Sequence, residues 1–179
     1  FSPAVAEVVK KINISGNSRV NEETIKIYGG IKVNEDYTEQ DLNRILNDLF
    51  STNFFKDVQV ELSNNILNIN LIEHPVINKL IIIGEPSNKY KEQIIKILQS
   101  KEKNSYIKNN VAKDIETIKK LYASAGYNFS QVDVKVRKID ELNLDLIFEI
   151  EKGEETKISK ITFTGDKKVR DKRLKDIVA

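Results

Sequence analysis

Leu49-Phe50-Ser51-Thr52-Asn53-Phe54-Phe55-Lys56-Asp57-Val58-Gln59-Val60 is the stretch that decides how this chain folds. Leu49 and Phe50 close an apolar helical pattern that also contains Leu42, Ile45 and Leu46. Asn53 then stands where a helix ends in a left-handed residue, a conformation asparagine tolerates better than most non-glycine types. Phe54 and Phe55 anchor the corner. Val58, Val60 and Leu62 alternate with polar residues, the period of a strand buried on one face. Helix, corner and strand return as Leu121-Tyr122-Ala123-Ser124-Ala125-Gly126-Tyr127 followed by Val132, Val134 and Val136. So particular a device, used twice, predicts a chain of repeated units.

Working outward, each unit opens on a short alternating strand that ends at a glycine turn. Ile12-Asn13-Ile14-Ser15-Gly16-Asn17 comes back as Leu80-Ile81-Ile82-Ile83-Gly84-Glu85, and again as Ile161-Thr162-Phe163-Thr164-Gly165-Asp166. A short helix over 21–28 carries Ile25 and Tyr28 and stops at Gly29-Gly30. The next helix opens at Thr38, with Asp41 placed as the acid of a near capping box. After the corner strand, Ser63-Asn64-Asn65 supplies a hairpin turn, because consecutive asparagines accept positive φ. The return strand puts Leu67, Ile69 and Leu71 on one face. Glu73-His74-Pro75 marks a joint, since proline lacks an amide donor and forces its predecessor out of helical space.

The second unit repeats this order. One helix over 88–99 carries Ile94, Ile95 and Leu98; another over 110–125 carries Val111, Ile115, Ile118 and Tyr122. Its last strand, Leu142 to Ile150, alternates most cleanly of all. The fold class that results is α+β: tandem β-α-α-β-β units, each a three-stranded mixed sheet with two helices on one face and the other face wet. The units span 8–75 and 76–153, and 154–179 begins a third. Residues 1–7 read as a leader or signal-peptide remnant, Ala4-Val5-Ala6 having the small-x-small form of a cleavage site.

Composition narrows the chemistry. At 40% hydrophobic, 31% charged and a net charge of +2, the 179 residues show no excess that would imply a nucleic-acid or anionic-membrane partner. No run approaches the ~20 apolar residues of a spanning helix. Without cysteine, disulfides, thiolate metal sites and thiol catalysis are excluded within the chain. His74, the only histidine, sits beside Pro75. Gly29-Gly30 lacks the Lys-Ser/Thr of a phosphate loop. No catalytic residue, metal or cofactor is expected. Lys167, Lys168, Arg170, Lys172, Arg173 and Lys175 read as a solvated helix of the third unit. RNA-binding KH domains share a β-α-α-β order but need a Gly-x-x-Gly clamp between the helices. Neither unit has one, so an RNA-binding module is a distant alternative.

What remains is interaction through the sheets, whose edge strands leave main-chain groups for another chain to extend. The expected edges are Phe55-Lys56-Asp57-Val58-Gln59-Val60-Glu61-Leu62 and Val132-Asp133-Val134-Lys135-Val136-Arg137. A second candidate surface is the trio Ile81, Ile83 and Ile147, which falls on the face away from the core.

These residues resemble the POTRA domain. The strand ending in Gly16-Asn17, the Leu49-Phe50-Ser51-Thr52-Asn53-Phe54-Phe55-Lys56-Asp57-Val58 corner, the Glu73-His74-Pro75 joint and the second corner at Leu121–Tyr127 carry the likeness, which covers residues 8–179. Asn53 replaces the usual glycine, a conservative change at a cap, and Glu85 replaces the asparagine expected after Gly84. The arrangement is similar to the periplasmic arm of outer-membrane protein assembly factors. That resemblance implies a protein of the outer membrane with this region in the periplasm. It also implies unfolded outer-membrane proteins and accessory lipoproteins as partners, with extended peptides augmenting edge strands. A related translocation factor, of the TamA-like or two-partner secretion type, is the alternative within the superfamily.

Overall fold

The computed structural model describes residues 7–157 and residue 160. Residues 1–6 of the expected leader, and nearly all of the expected third unit with its basic cluster, lie outside them.

The first unit runs β1 (Glu7–Val8), β2 (Lys11–Ser15), α1 (Glu22–Gly29), β3 (Asp36–Tyr37), α2 (Glu39–Ser51), β4 (Phe55–Ser63) and β5 (Ile66–Glu73). Its sheet has the order β2-β5-β4, with β2 parallel and β4 antiparallel to the central β5. The second runs β6 (Val76–Ile83), α3 (Asn88–Ile97), α4 (Lys108–Ser124), β7 (Gln131–Lys138) and β8 (Asn143–Glu151), in the order β6-β8-β7 with the same directions. The last strand of each unit is therefore central and the first two are edges. A separate two-stranded pairing joins β1 to β3. Glu7, assigned to the leader from sequence, thus belongs to the folded unit, where its carboxylate also accepts from the Asn65 amide.

Local rules account for most of the first unit. Asn21 caps α1 through the Thr24 amide, and Gly30 ends it at φ 59°. Thr38 and Asp41 form the reciprocal capping box of α2. Asn53 adopts φ 59°, and Asn64 and Asn65 adopt 51° and 62°, as a tight hairpin turn requires. At the corner, the Thr52 hydroxyl donates to the Leu49 carbonyl and accepts from the Phe54 amide. Phe54 packs edge-on against both Tyr28 and Phe55, at 5.9 and 6.3 Å between ring centroids. Ile25, Ile45, Leu49, Phe55, Val58, Leu67 and Ile69 fill the core between sheet and helices. Burying an aliphatic or aromatic side chain of this size stabilises by about 1.5–3 kcal/mol, so the corner phenylalanine is a principal member of that core.

The second unit departs from the sequence reading in detail. Its first helix ends at Ile97, and Leu98, though buried, is already extended. Ile95 is exposed, as is Tyr28 of the first unit's α1, so neither is a core position. α4 starts at Lys108, where its N-cap Ile107 offers no side-chain acceptor. On α4, Asp114 is fully buried among Val111, Ile118 and Tyr122. Its two oxygens accept from the Gln99 and Ser100 amides at 2.6 and 2.9 Å, so it fastens the loop between the helices.

The glycine turns are dictated by contact. A Cβ on Gly16 would lie 1.9 Å from the Leu71 carbonyl oxygen, and one on Gly84 1.9 Å from that of Ile150, and both residues have positive φ. No other residue fits where the first strand turns past the central one.

Candidate functional site

The two strands singled out from sequence lie at free edges. β4 is paired to β5 on one side only, and β7 to β8 on one side only, with no further strand among the described residues. In β4 the register shifts between Phe55 and Asp57. This bulge explains how Phe55 and Val58, three positions apart, are both buried (2% and 3% exposed) in what should be a two-residue period. Val60 and Leu62 are half-buried, while Lys56, Gln59 and Glu61 face solvent. Asp57, expected outside, is half-buried and accepts from Gln59 Nε2.

β7 shows a gradient along its inner face. Val132 is buried, Val134 half-buried and Val136 43% exposed. The apolar face is thus open towards the strand's far end. Asp133, Lys135 and Arg137 are exposed, but two of them are engaged. Lys135 pairs with Glu149 at 2.7 Å and Arg137 with Asp145 at 2.5 Å. Asp145 is only 2% exposed although it alternates as an outward residue. The β6 bulge between Ile77 and Lys79 lets Asn78 donate to it, while Arg137 covers the other oxygen. Arg137 first, then Asn78, holds the Asp145 carboxyl below the ordinary carboxylate range.

The other two edges differ. β2 is short, five residues against nine in β4 and eight in β7. β6 is closed over its first half by the chain itself. Val76 bridges Ser105, Ile77 exchanges hydrogen bonds with Asn104 and Lys103, and the Leu80 amide is taken by Glu102. The amides and carbonyls that would receive a new strand there are already satisfied.

Of the isoleucine trio, Ile81 and Ile147 are register partners across β6 and β8 and are half-buried, while Ile83 is 48% exposed. The three form one short apolar strip flanked by Lys135 and Glu149, the residues opposite Ile147 and Ile83.

At the joint, β5 ends at Glu73 and β6 begins at Val76, so His74 and Pro75 are the whole connection. The His74 amide donates to the Phe54 carbonyl, and the Tyr106 amide to that of Pro75. Glu73 faces its own unit. It is 6% exposed, and its carboxylate accepts from the Ser18, Arg19 and Val20 amides, closing the loop after β2. Sequence reading also understated Glu85, placed only in a turn. It is 4% exposed, accepts from the Ser87 amide, and receives the Tyr122 hydroxyl. The signal was an acid ending a buried strand for Glu73 and an acid directly after a glycine turn for Glu85. For Asp114 it was a carboxylate within a helix's apolar row.

Among the described residues no group of His, Cys, Asp and Glu could hold a metal, and no helix is long and apolar enough to cross a membrane.

Comparison with known proteins agrees with this architecture. A model of the POTRA family, described as a surface antigen variable number repeat, matches residues 7–73 and again 75–153. The chain belongs to the POTRA family. It is similar to the outer membrane protein assembly factor BamA of Neorickettsia risticii, 27% identical over 175 residues, which are 97% of this chain and 23% of that protein. It is also similar to BamA of Neisseria meningitidis serogroup B, 28% identical over 171 residues, 93% of this chain and 21% of that one. The chain thus spans about a fifth to a quarter of these relatives. Among solved structures, the N-terminal domain of Omp85 from Thermosynechococcus elongatus shares the fold. It has a TM-score of 0.53 at 16% identity, covering 96% of this chain and 76% of that one.

Proposed function

We propose that the two units belong to the periplasmic POTRA arm of an outer-membrane protein assembly factor, and that they receive unfolded outer-membrane proteins by strand addition at β4 and β7. The remainder of such a protein would form a barrel in the outer membrane, and the arm would also dock accessory lipoproteins. The observation that carries the reading is the contrast among edges: β4 and β7 are long and unpaired on their outer sides, whereas β2 is short and β6 is half closed by residues 102–106. Main-chain pairing suits partners of varied sequence, because it asks no particular side chain of them. The half-open apolar face of β7 and the half-buried Val60 and Leu62 of β4 favour alternating, barrel-strand sequences.

The test is an NMR titration of the chain with a peptide of alternating apolar and polar residues. Amide shifts should concentrate in β4 and β7. Shifts absent from both strands would reject strand addition. A salt-sensitive retention on RNA that exceeds peptide binding would point instead to a nucleic-acid module.

A further inference from the structure

Where the units meet, Lys56, His74, Pro75, Tyr106, Ile107, Lys108 and Asn109 line a cleft of about 430 Å³. We propose that this cleft is a docking site for a protein segment that presents a carboxylate side chain beside a bulky apolar one.

Charge argues for the carboxylate. The lining holds two lysines and no acid. Among the described residues neither Lys56 nor Lys108 has a carboxylate within ion-pair distance. One comes from the β4 edge of the first unit, the other from the first turn of α4 in the second. A single carboxylate between them would be a ligand to both units at once. Burial first, and Lys56 second, hold His74 below its ordinary range, so the positive charge of the cleft comes from the two lysines. Pro75, Tyr106 and Ile107 are half-buried and supply the apolar part of the wall.

The same inventory selects against other anions. Attraction to a lipid surface takes clusters of about 4–8 basic residues on an accessible face, and two lysines in a concave cleft fall short of that. A nucleic-acid backbone would need a basic track, which a net charge of +2 does not provide. Lys56 is the one lining residue shared with the strand edges, and docking in the cleft does not depend on strand addition, so the two stand or fall separately.

The experiment uses the 179-residue chain and the capped peptide acetyl-Gly-Glu-Phe-Gly-amide, followed by NMR. Shifts should centre on Lys56, His74, Tyr106 and Lys108 and saturate. Replacing the peptide's Glu by Gln, or introducing Lys56→Gln with Lys108→Gln, should weaken binding at least tenfold. Both lysines are exposed, so the double variant should melt at the parent temperature. Equal affinity for the Glu and Gln peptides, or an unchanged affinity in the double variant, overturns the proposal. So does inorganic phosphate binding as tightly as the peptide, or a preference of the same lysines for phosphatidylglycerol vesicles. Shifts confined to β4 and β7 would also overturn it while leaving strand addition intact.

Discussion

Two residues beyond the carbonyl that meets each turn glycine, the first unit carries Glu73 and the second carries Lys152. The backbone position is the same and the charge is opposite. In the first unit Glu73 reaches into the loop after β2 and takes three of its amides, with Arg19 beside it at 3.6 Å. In the second the acid has moved into the loop as Glu85, where it binds the Ser87 amide and the Tyr122 hydroxyl. Lys152 then lies over a cluster of tyrosine rings, 4.0 Å from the centre of Tyr127 and 5.7 and 6.0 Å from Tyr90 and Tyr122. Tyr122 itself stands four residues before left-handed Gly126, as Leu49 stands before left-handed Asn53, and both are fully buried. A hydroxyl introduced at that core position needs a partner, and Glu85 is that partner. The fold fixes where the chain turns. It leaves open which side chains satisfy the groups exposed by turning.

The largest effect is expected at the corner both units share. Phe55→Asp places an unpaired charge in the first core and should cost about 4 kcal/mol or more. Gln59→Asp on the same strand should stay within about 0.5 kcal/mol. Thermal unfolding followed by NMR checks this, with signals of the second unit, which has its own core, surviving beyond those of the first. Equal melting temperatures for the two variants would remove Phe55 from its assigned place. The second test addresses the feature that does not vary. Gly16→Ala and Gly84→Ala should each cost at least about 2 kcal/mol, through positive φ and collision with a carbonyl. Denaturant midpoints should fall alike in both.

The next pair sharpens the difference. Glu73→Gln removes a charged acceptor from three amides and should cost about 2 kcal/mol. Lys152→Met at the matching position loses only a cation–π contact, about 0.5–1 kcal/mol. Equal losses in urea unfolding would mean that the two loops are closed in the same way after all. The smallest effect belongs to the joint. Because His74 has a folded pKa below its ordinary 6.5, the folded state favours the neutral ring. Its contribution is therefore full above pH 6.5 and is lost as the pH falls below it. Stability measured from pH 7.5 down to 5 should decline less steeply in His74→Asn than in the parent.

Much of this was legible in the sequence because it is local. The capping box at Thr38 and Asp41, the left-handed Asn53 and the Asn64-Asn65 turn follow from neighbouring residues, and the strands β4 and β7 from their period. The bulge at Lys56 was not legible, because one extra residue displaces the period it would be read from. Asp145 alternates as a solvent-facing residue, and only a second bulge in a strand far along the chain, with Arg137 from another, encloses it. Glu73, Glu85 and Asp114 likewise act on amides that the sequence does not mark as needing them. The partial closure of β6 depends on where the loop at 102–106 lies, which periodicity does not report.

Strand addition as proposed places an extended partner on β4 and β7, not on the half-closed β6. Hydrogen–deuterium exchange of the chain with and without a saturating barrel-strand peptide tests it most directly. New protection of amides is expected in β4 and β7, with β6 from Val76 to Leu80 unchanged. New protection along β6 with none in β4 or β7 would contradict it.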